Sequence, residues 1–167
     1  MKKIISLIFV VLLISGCSKK TDNEYLSLAK ESWKQNNIPA AIKAYQSIVD
    51  EYPGSKLAPK ALMELGKLYQ YKVDKTLNNQ EASEKAIDCF KAIGQKYPKS
   101  EEAPVALFMT AFIQANELKE YDEATKNYKL FLDKYPNHPM SQNAKDEIKN
   151  MGLSPAEILD SKLSDEN

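Results

Sequence analysis

Arginine is absent: all 23 basic side chains in the 167 residues are lysine. Without a guanidinium the chain lacks the planar donor fork that suits bidentate recognition of carboxylate or phosphate, so specific phosphate binding is disfavoured. Acidic residues also number 23, and the balance leaves no electrostatic footprint for a nucleic acid. Histidine occurs once, as His138 between two prolines in Tyr-Pro-Asn-His-Pro, with no cysteine or second histidine at metal-ligand spacing. That context reads as a turn, and Ser-His-Asp chemistry would need a base packed against a nucleophile. With five glycines in the chain there is no glycine-rich phosphate loop. Glu101-Glu102 and Asp122-Glu123 are adjacent carboxylates, but each pair opens an apolar segment, where negative charge complements a helix dipole. They read as helix starts rather than as acid and base. No cofactor, metal or small-molecule substrate is implied, and the chain is not read as an enzyme.

What is present is a repeat. The pattern Ala-x-x-x-(Tyr/Phe)-x-x-(Ile/Phe)-x-x-x-Tyr-Pro begins at Ala41, Ala86 and Ala124, at offsets of 45 and 38 residues. Tyr45, Phe90 and Tyr128 align, as do Ile48, Ile93 and Phe131, then Tyr52, Tyr97 and Tyr135, then Pro53, Pro98 and Pro136. Ile38, Ala41, Ile42, Tyr45, Ile48, Val49 and Tyr52 fall at steps of three and four, which is one stripe of a helix. Proline disfavours the helical region for the residue before it, so each helix is predicted to stop at its tyrosine. Upstream of each stripe lies a second periodic segment, with Tyr25, Leu28, Ala29 and Trp33, then Leu62, Leu65, Gly66 and Tyr69, then Leu107 and Ala111. The small residues Ala29, Gly66 and Ala111 sit where two helices would approach closely. Two antiparallel helices per repeat follow, stacked so that neighbours bury each other's apolar faces.

This register, bulky-x-x-Leu-(Gly/Ala) on the first helix and Ala-x-x-x-(Tyr/Phe) with Pro on the second, resembles the tetratricopeptide repeat over about residues 21–152. Tyr25, Leu28, Ala29, Ile38, Ala41, Tyr45 and Pro53 all match in the first copy. The linker is three residues longer than usual and carries Tyr-Pro-x-Ser-x-x-Ala-Pro-x-Ala-Leu from Tyr52 to Leu62, approximately repeated from Tyr97 to Leu107. In that it is similar to the BamD family of outer membrane assembly lipoproteins and to CpoB-type periplasmic repeats, although it holds about three repeats where the BamD family usually has five. The implied fold is an all-α, right-handed α-solenoid of three helix pairs plus a C-terminal capping helix. Repeats are expected at about residues 23–55, 56–100 and 101–138, with the cap at 140–152 and a short helix and disordered tail at 153–167. Residues 71–80 add about eight residues between the helices of the second repeat. They read as an extended first helix with a solvated loop, or else as a partner-contacting loop on one rim.

The start of the chain carries a separate signal. Lys2 and Lys3 precede an apolar run from Ile4 to Ile14, followed by Ile14-Ser15-Gly16-Cys17. Such a run is too short to span a ~30 Å hydrocarbon core, and it reads as an export signal over residues 1–16. Resemblance to bacterial lipoprotein precursors implies cleavage before Cys17, lipidation there with acyl chains such as palmitate, and a tether over residues 17–22. Several acyl chains, at ~0.8 kcal/mol per buried CH2, anchor firmly. Ser18, rather than Asp, follows the lipidated position, and by analogy with enteric sorting this implies the periplasmic face of the outer membrane. Cys89 would then be the sole free thiol and, beside Phe90, it reads as a small buried hydrophobe.

Function is expected on a surface. In the tetratricopeptide family the first helix of each repeat lines the concave face, and that resemblance places Lys30, Trp33, Lys34, Lys60, Met63, Lys67, Tyr71, Phe108, Phe112 and Asn116 along a peptide-binding groove. Chaperone-binding members clamp a terminal carboxylate with lysine, asparagine and arginine at positions that here hold Leu26, Lys30, Glu64, Val105 and Met109, so that chemistry is discounted. The third first-helix, from Val105 to Ala115, is apolar on nearly every side. A helix of that kind is either covered on all sides or offers a pocket built from Met63, Phe108 and Phe112. The implied role is a membrane-anchored scaffold for protein partners, in outer membrane β-barrel assembly by the BamD resemblance. The alternative is a Tol-associated or peptidoglycan-hydrolase-recruiting envelope adaptor.

Overall fold

The computed structural model of the protein describes residues 19–154 and 156–158. The expected leader, the lipidation site Cys17 and the end of the expected tail lie outside the described residues. Within them the chain forms α1 (Asp22–Lys34), α2 (Ile38–Glu51), α3 (Leu57–Gln70), α4 (Asn79–Lys96), α5 (Ala103–Ile113), α6 (Tyr121–Lys134) and α7 (Ser141–Asn150), with a π-helical turn, Gln114–Leu118, continuing α5. Each helix packs chiefly against its neighbours in the chain. The architecture is an α-solenoid of three helix pairs, α1–α2, α3–α4 and α5–α6, closed by α7. Among the described residues no helix is long and apolar enough to cross a membrane.

The three Tyr-Pro stops have one geometry. Tyr52, Tyr97 and Tyr135 are the C-caps of α2, α4 and α6, with φ of −131° to −133° and ψ of 50° to 55°. Beyond the proline, the N–H of Ser55, Ser100 and His138 returns to the tyrosine carbonyl at 2.9, 3.0 and 3.1 Å. Three residues later Ala58, Ala103 and Ser141 donate in the same way to the carbonyls of Ser55, Ser100 and His138, at 3.1, 3.2 and 2.9 Å. His138 thus occupies the serine's place. Its Nδ1 accepts the Met140 N–H at 3.2 Å, as Ser55 Oγ accepts the Leu57 N–H at 3.0 Å. Its ring meets Phe131 edge-on at 5.5 Å between centroids. The turn reading of His138 agrees with these contacts.

Helix starts are capped by reciprocal side-chain bonds in two of the pairs. Thr21 with Glu24, and Asn78 with Glu81, form reciprocal capping boxes. Asp122 and Glu123 stand in the first turn of α6, where they complement the dipole. Glu102 is the N-cap of α5 and makes no side-chain capping bond, so Glu101 and Glu102 bring negative charge rather than a hydrogen bond to that helix start.

Within each pair a small residue of the first helix faces the second. Ala29 and Ala111 are fully buried. At Gly66 a Cβ would lie 2.4 Å from Cε1 of Phe90, so α3 and α4 touch through a glycine that no larger residue can replace without movement. One core joins α1 to α4 and the start and end of α5; a second joins α5, α6 and α7 around Phe108, Tyr128, Phe131 and Ala144.

Two expectations are corrected here. The expected extension of the first helix in the second repeat does not occur: α3 stops at Gln70 and the added residues instead form a turn while α4 starts early. In that turn Asp74 Oδ1 accepts from the N–H and Oγ1 of Thr76. Lys72 reaches Glu117 Oε2 at 3.1 Å, and the same oxygen accepts from Ser83 Oγ at 2.7 Å. The insertion is thereby fixed to the third pair. The second correction is the Met63, Phe108, Phe112 pocket, which does not form. Phe108 packs at 5.3 Å from Tyr128 and 5.7 Å from Phe131, Phe112 leans on the same cluster, and Met63 belongs to the other core. α4 and α6 cover the apolar helix from either side.

At the C-terminal end Ala144 is buried while Gln142, Asn143 and Lys145 face solvent, as a polar cap requires. Gly152 follows α7 at φ +81°, a left-handed conformation suited to glycine. Ser154 and Glu157 then exchange the bonds of a capping box at 2.7 and 3.4 Å.

Two measurements test this packing. Gly66→Ala is expected to lower stability to unfolding in urea by about 1–3 kcal/mol through overpacking, and Phe90→Leu in the same chain should restore part of that loss; an unchanged midpoint for Gly66→Ala would contradict the close approach. Cys89 packs against the first core, and burial first, with Asp88 adding to it, pushes its thiol pKa up to about 12. The folded value exceeds the unfolded value of about 8.5, so the contribution to stability is full below that pH and is lost as pH rises toward the folded value. Disulfide-exchange labelling of Cys89 at pH 8 should therefore be slow in the folded protein and fast in urea.

Candidate functional site

The first helices of the pairs share a concave face, and on it lies a groove of 660 Å³. α1 supplies Leu26, Lys30 and Trp33, α3 supplies Lys60, Met63, Glu64 and Lys67, and the start of α5 supplies Val105 together with the preceding Glu101 and Glu102. Tyr45 of α2 closes the floor. The spacing explains the sharing: on each first helix, positions three or four apart project to one side, so Leu26 with Lys30 and Trp33, and Lys60 with Met63, Glu64 and Lys67, form two parallel rows.

The groove is apolar at its base and charged along its walls. Tyr45 and Met63 are buried, whereas Trp33 keeps 43% of its surface open. Lys67 Nζ pairs with Glu64 Oε1 at 2.8 Å. Burial, with Glu64 nearby, raises the pKa of Tyr45, so its hydroxyl stays protonated at neutral pH. Lys30 and Lys60 stand on the α1 and α3 walls, and Glu101 and Glu102 at the α5 end. An aromatic anchor beside a buried methionine and a half-buried valine, rimmed by both signs of charge, fits a peptide segment of a partner that presents apolar side chains between charged ones. Among the described residues no group of acidic, histidine and cysteine side chains is placed to hold a metal ion.

Of the ten residues expected along the groove, Lys30, Trp33, Lys60, Met63 and Lys67 come together there. Lys34 lies one position past Trp33 and is exposed outside the lining. Tyr71, 66% exposed, caps the end of α3 beyond the lining residues. Phe108 and Phe112 belong to the second core, and Phe108 is removed from the groove by burial. Asn116, on the π-helical turn, bonds to Glu147 Oε2 at 3.3 Å and borders a separate 300 Å³ cavity beside α7.

Leu26, Tyr45, Glu64, Glu101, Glu102 and Val105 were not expected in the groove. For three of them a signal was present. Leu26, Glu64 and Val105, with Lys30, occupy register positions where chaperone-binding repeats carry their carboxylate clamp, and all four line this groove. Glu64, Glu101 and Glu102 there would repel a terminal carboxylate, which agrees with discounting that clamp.

Residues 26–55 and 105–138 match a family model described as Tetratricopeptide repeat. These stretches are α1 with α2, and α5 with the π-helical turn and α6; the pair that carries the insertion lies between them. No curated protein matches the chain. The helix pairs, their shared concave face and the two matching stretches support a tetratricopeptide-repeat architecture, which typically serves as a non-catalytic scaffold for binding other proteins.

Proposed function

We propose that the protein is a lipid-anchored scaffold of a bacterial envelope, held at the periplasmic face of the outer membrane through Cys17, which grips a partner protein in the α1–α3–α5 groove and acts in assembly of outer membrane β-barrels. The observation that carries the binding role is the groove itself, with Trp33 half open above buried Met63 and Tyr45. The anchor and the assembly role rest on the sequence: the Ile14-Ser15-Gly16-Cys17 box and the Tyr-Pro-x-Ser linkers that resemble the BamD family.

Crosslinking the lipidated protein in membranes and identifying what it captures tests the assembly role. Recovery of β-barrel assembly proteins is expected; recovery of Tol components or cell-wall hydrolases in their place would move the scaffold to the alternative role. Trp33→Ala should weaken capture of the recovered partner by about 2 kcal/mol, ~30-fold, at unchanged helicity, and an unchanged affinity would place the partner elsewhere. Cys17→Ser should release the protein from the membrane fraction, whereas retention there would exclude the lipid anchor.

A further inference from the structure

Residues 19–22, on the approach to α1, are pinned across the turn between α2 and α3. Lys19 Nζ lies 3.2 Å from Glu51 Oε2 and 5.2 Å from the centre of the Tyr52 ring. The Lys20 carbonyl accepts the Tyr52 hydroxyl, Thr21 is locked into its capping box with Glu24, and Asp22 accepts from Ser55 Oγ. One exposed contact of this kind is worth little. Contacts to the turn from Lys19, Lys20 and Asp22, with Thr21 fixed between them by its capping box, leave the segment no freedom to swing away without breaking several at once.

We infer that the edge of the solenoid formed by the Tyr-Pro turns rests on the headgroups of the phospholipid leaflet that holds the anchor. The inference rests on the lipidation of Cys17 proposed above and goes beyond it, because an anchor alone permits any orientation. From position 17 to Lys19 the extended chain spans at most about 7 Å, so a tether pinned at Lys19 holds the α2–α3 turn against the surface. The second turn lies alongside: the Tyr97 hydroxyl donates to the Pro53 carbonyl at 2.9 Å. Lys20, Lys56 and Lys99 are exposed on these segments, and a cation close to an anionic leaflet is drawn to it. Glu101 follows the second turn, so geometry rather than net charge sets the orientation. α1 starts at this edge and leads away from it. Trp33, the only tryptophan of the chain, stands eleven residues past Asp22, about 16 Å along the helix at 1.5 Å per residue. The groove then opens sideways, along the membrane, with Glu101 and Glu102 at its near end and Trp33 at its far end.

Trp33 makes the orientation measurable. The lipidated full-length protein is placed in phosphatidylethanolamine and phosphatidylglycerol vesicles containing phosphatidylcholine spin-labelled on its headgroup, and tryptophan emission is followed. Native Trp33 should keep its emission, whereas a tryptophan placed at the turn by Lys56→Trp in a Trp33→Phe background should lose most of it. Adding Tyr52→Phe and Ser55→Ala, which remove two of the pins, should return part of the lost emission, with circular dichroism confirming the helices. Equal quenching at both positions, or none at either while the protein floats with the vesicles, overturns the orientation and leaves the anchor standing. Quenching at position 56 that ignores the two added substitutions overturns the pinned tether as its cause. Failure to float removes the anchor itself and the inference with it.

Discussion

Everything in this fold depends on one contact made within each helix pair, an aromatic ring of the second helix filling the space that a small residue leaves on the first. It is tightest at Gly66, where Phe90 stands so near that even a methyl group has no room. The contact sets the separation of the paired helices, and that separation lets each pair present a continuous apolar flank to the next. Ala29 with Tyr45, and Ala111 with Tyr128, share a core in the same way. Because each helix packs chiefly on its neighbours in sequence, stability builds pair by pair, and the polar outer face of α7 ends the series.

The Tyr-Pro turns impose the second constraint. They repeat their backbone hydrogen bonds three times, which keeps every first helix on the same side of the stack and so creates a concave face at all. The turn tolerates a change of chemistry: His138 replaces serine and takes the N–H two residues on as Ser55 does, while Ser100 keeps the same backbone turn with its hydroxyl unpartnered. A lone histidine in a sequence invites a catalytic or metal role, and here its imidazole is occupied as a turn acceptor against Phe131. Specificity has to arise where the pairs differ. They differ in the groove, where lysines stand on both walls, one end is acidic and the α1 side carries a half-open tryptophan, and in the insertion that Lys72 and Glu117 tie to the third pair.

Much of the fold was legible from residue types because the signals were local and repeated. The stops at Tyr52, Tyr97 and Tyr135, the close approach at Gly66 and the turn role of His138 follow from proline sterics, helical period and small-residue placement. The π-helical turn Gln114–Leu118 was not legible. It depends on Gln114, whose carbonyl accepts the Glu120 N–H at 2.8 Å and whose side chain bonds to Asn127 and Glu120, contacts with α6 and its approach that no local pattern announces. Nor was it legible that each first helix is followed by a non-glycine residue in the left-handed region, Asn36, Lys72 and Lys119; lysine gives no local cue for that conformation, which neighbouring bonds must enforce. The groove was legible by half. Lys30, Trp33, Lys60, Met63 and Lys67 converge as the family register implies, while Phe108 does not, since α6 offered it two aromatic partners.

The sequence by itself determined that this chain is a stack of helix pairs, where the second helix of each pair stops and which small residues let the pairs close, because those properties are set by steric and hydrophobic rules acting within a few turns of chain. Tertiary structure alone decided which apolar side chains remain open for a partner. Phe108 and Trp33 are equally hydrophobic candidates in the sequence; one is buried because α6 lies over α5, and the other stays half open because it faces the groove, where no described residue covers it. Burial is a property of what stands opposite, and only the assembled fold supplies the opposite side.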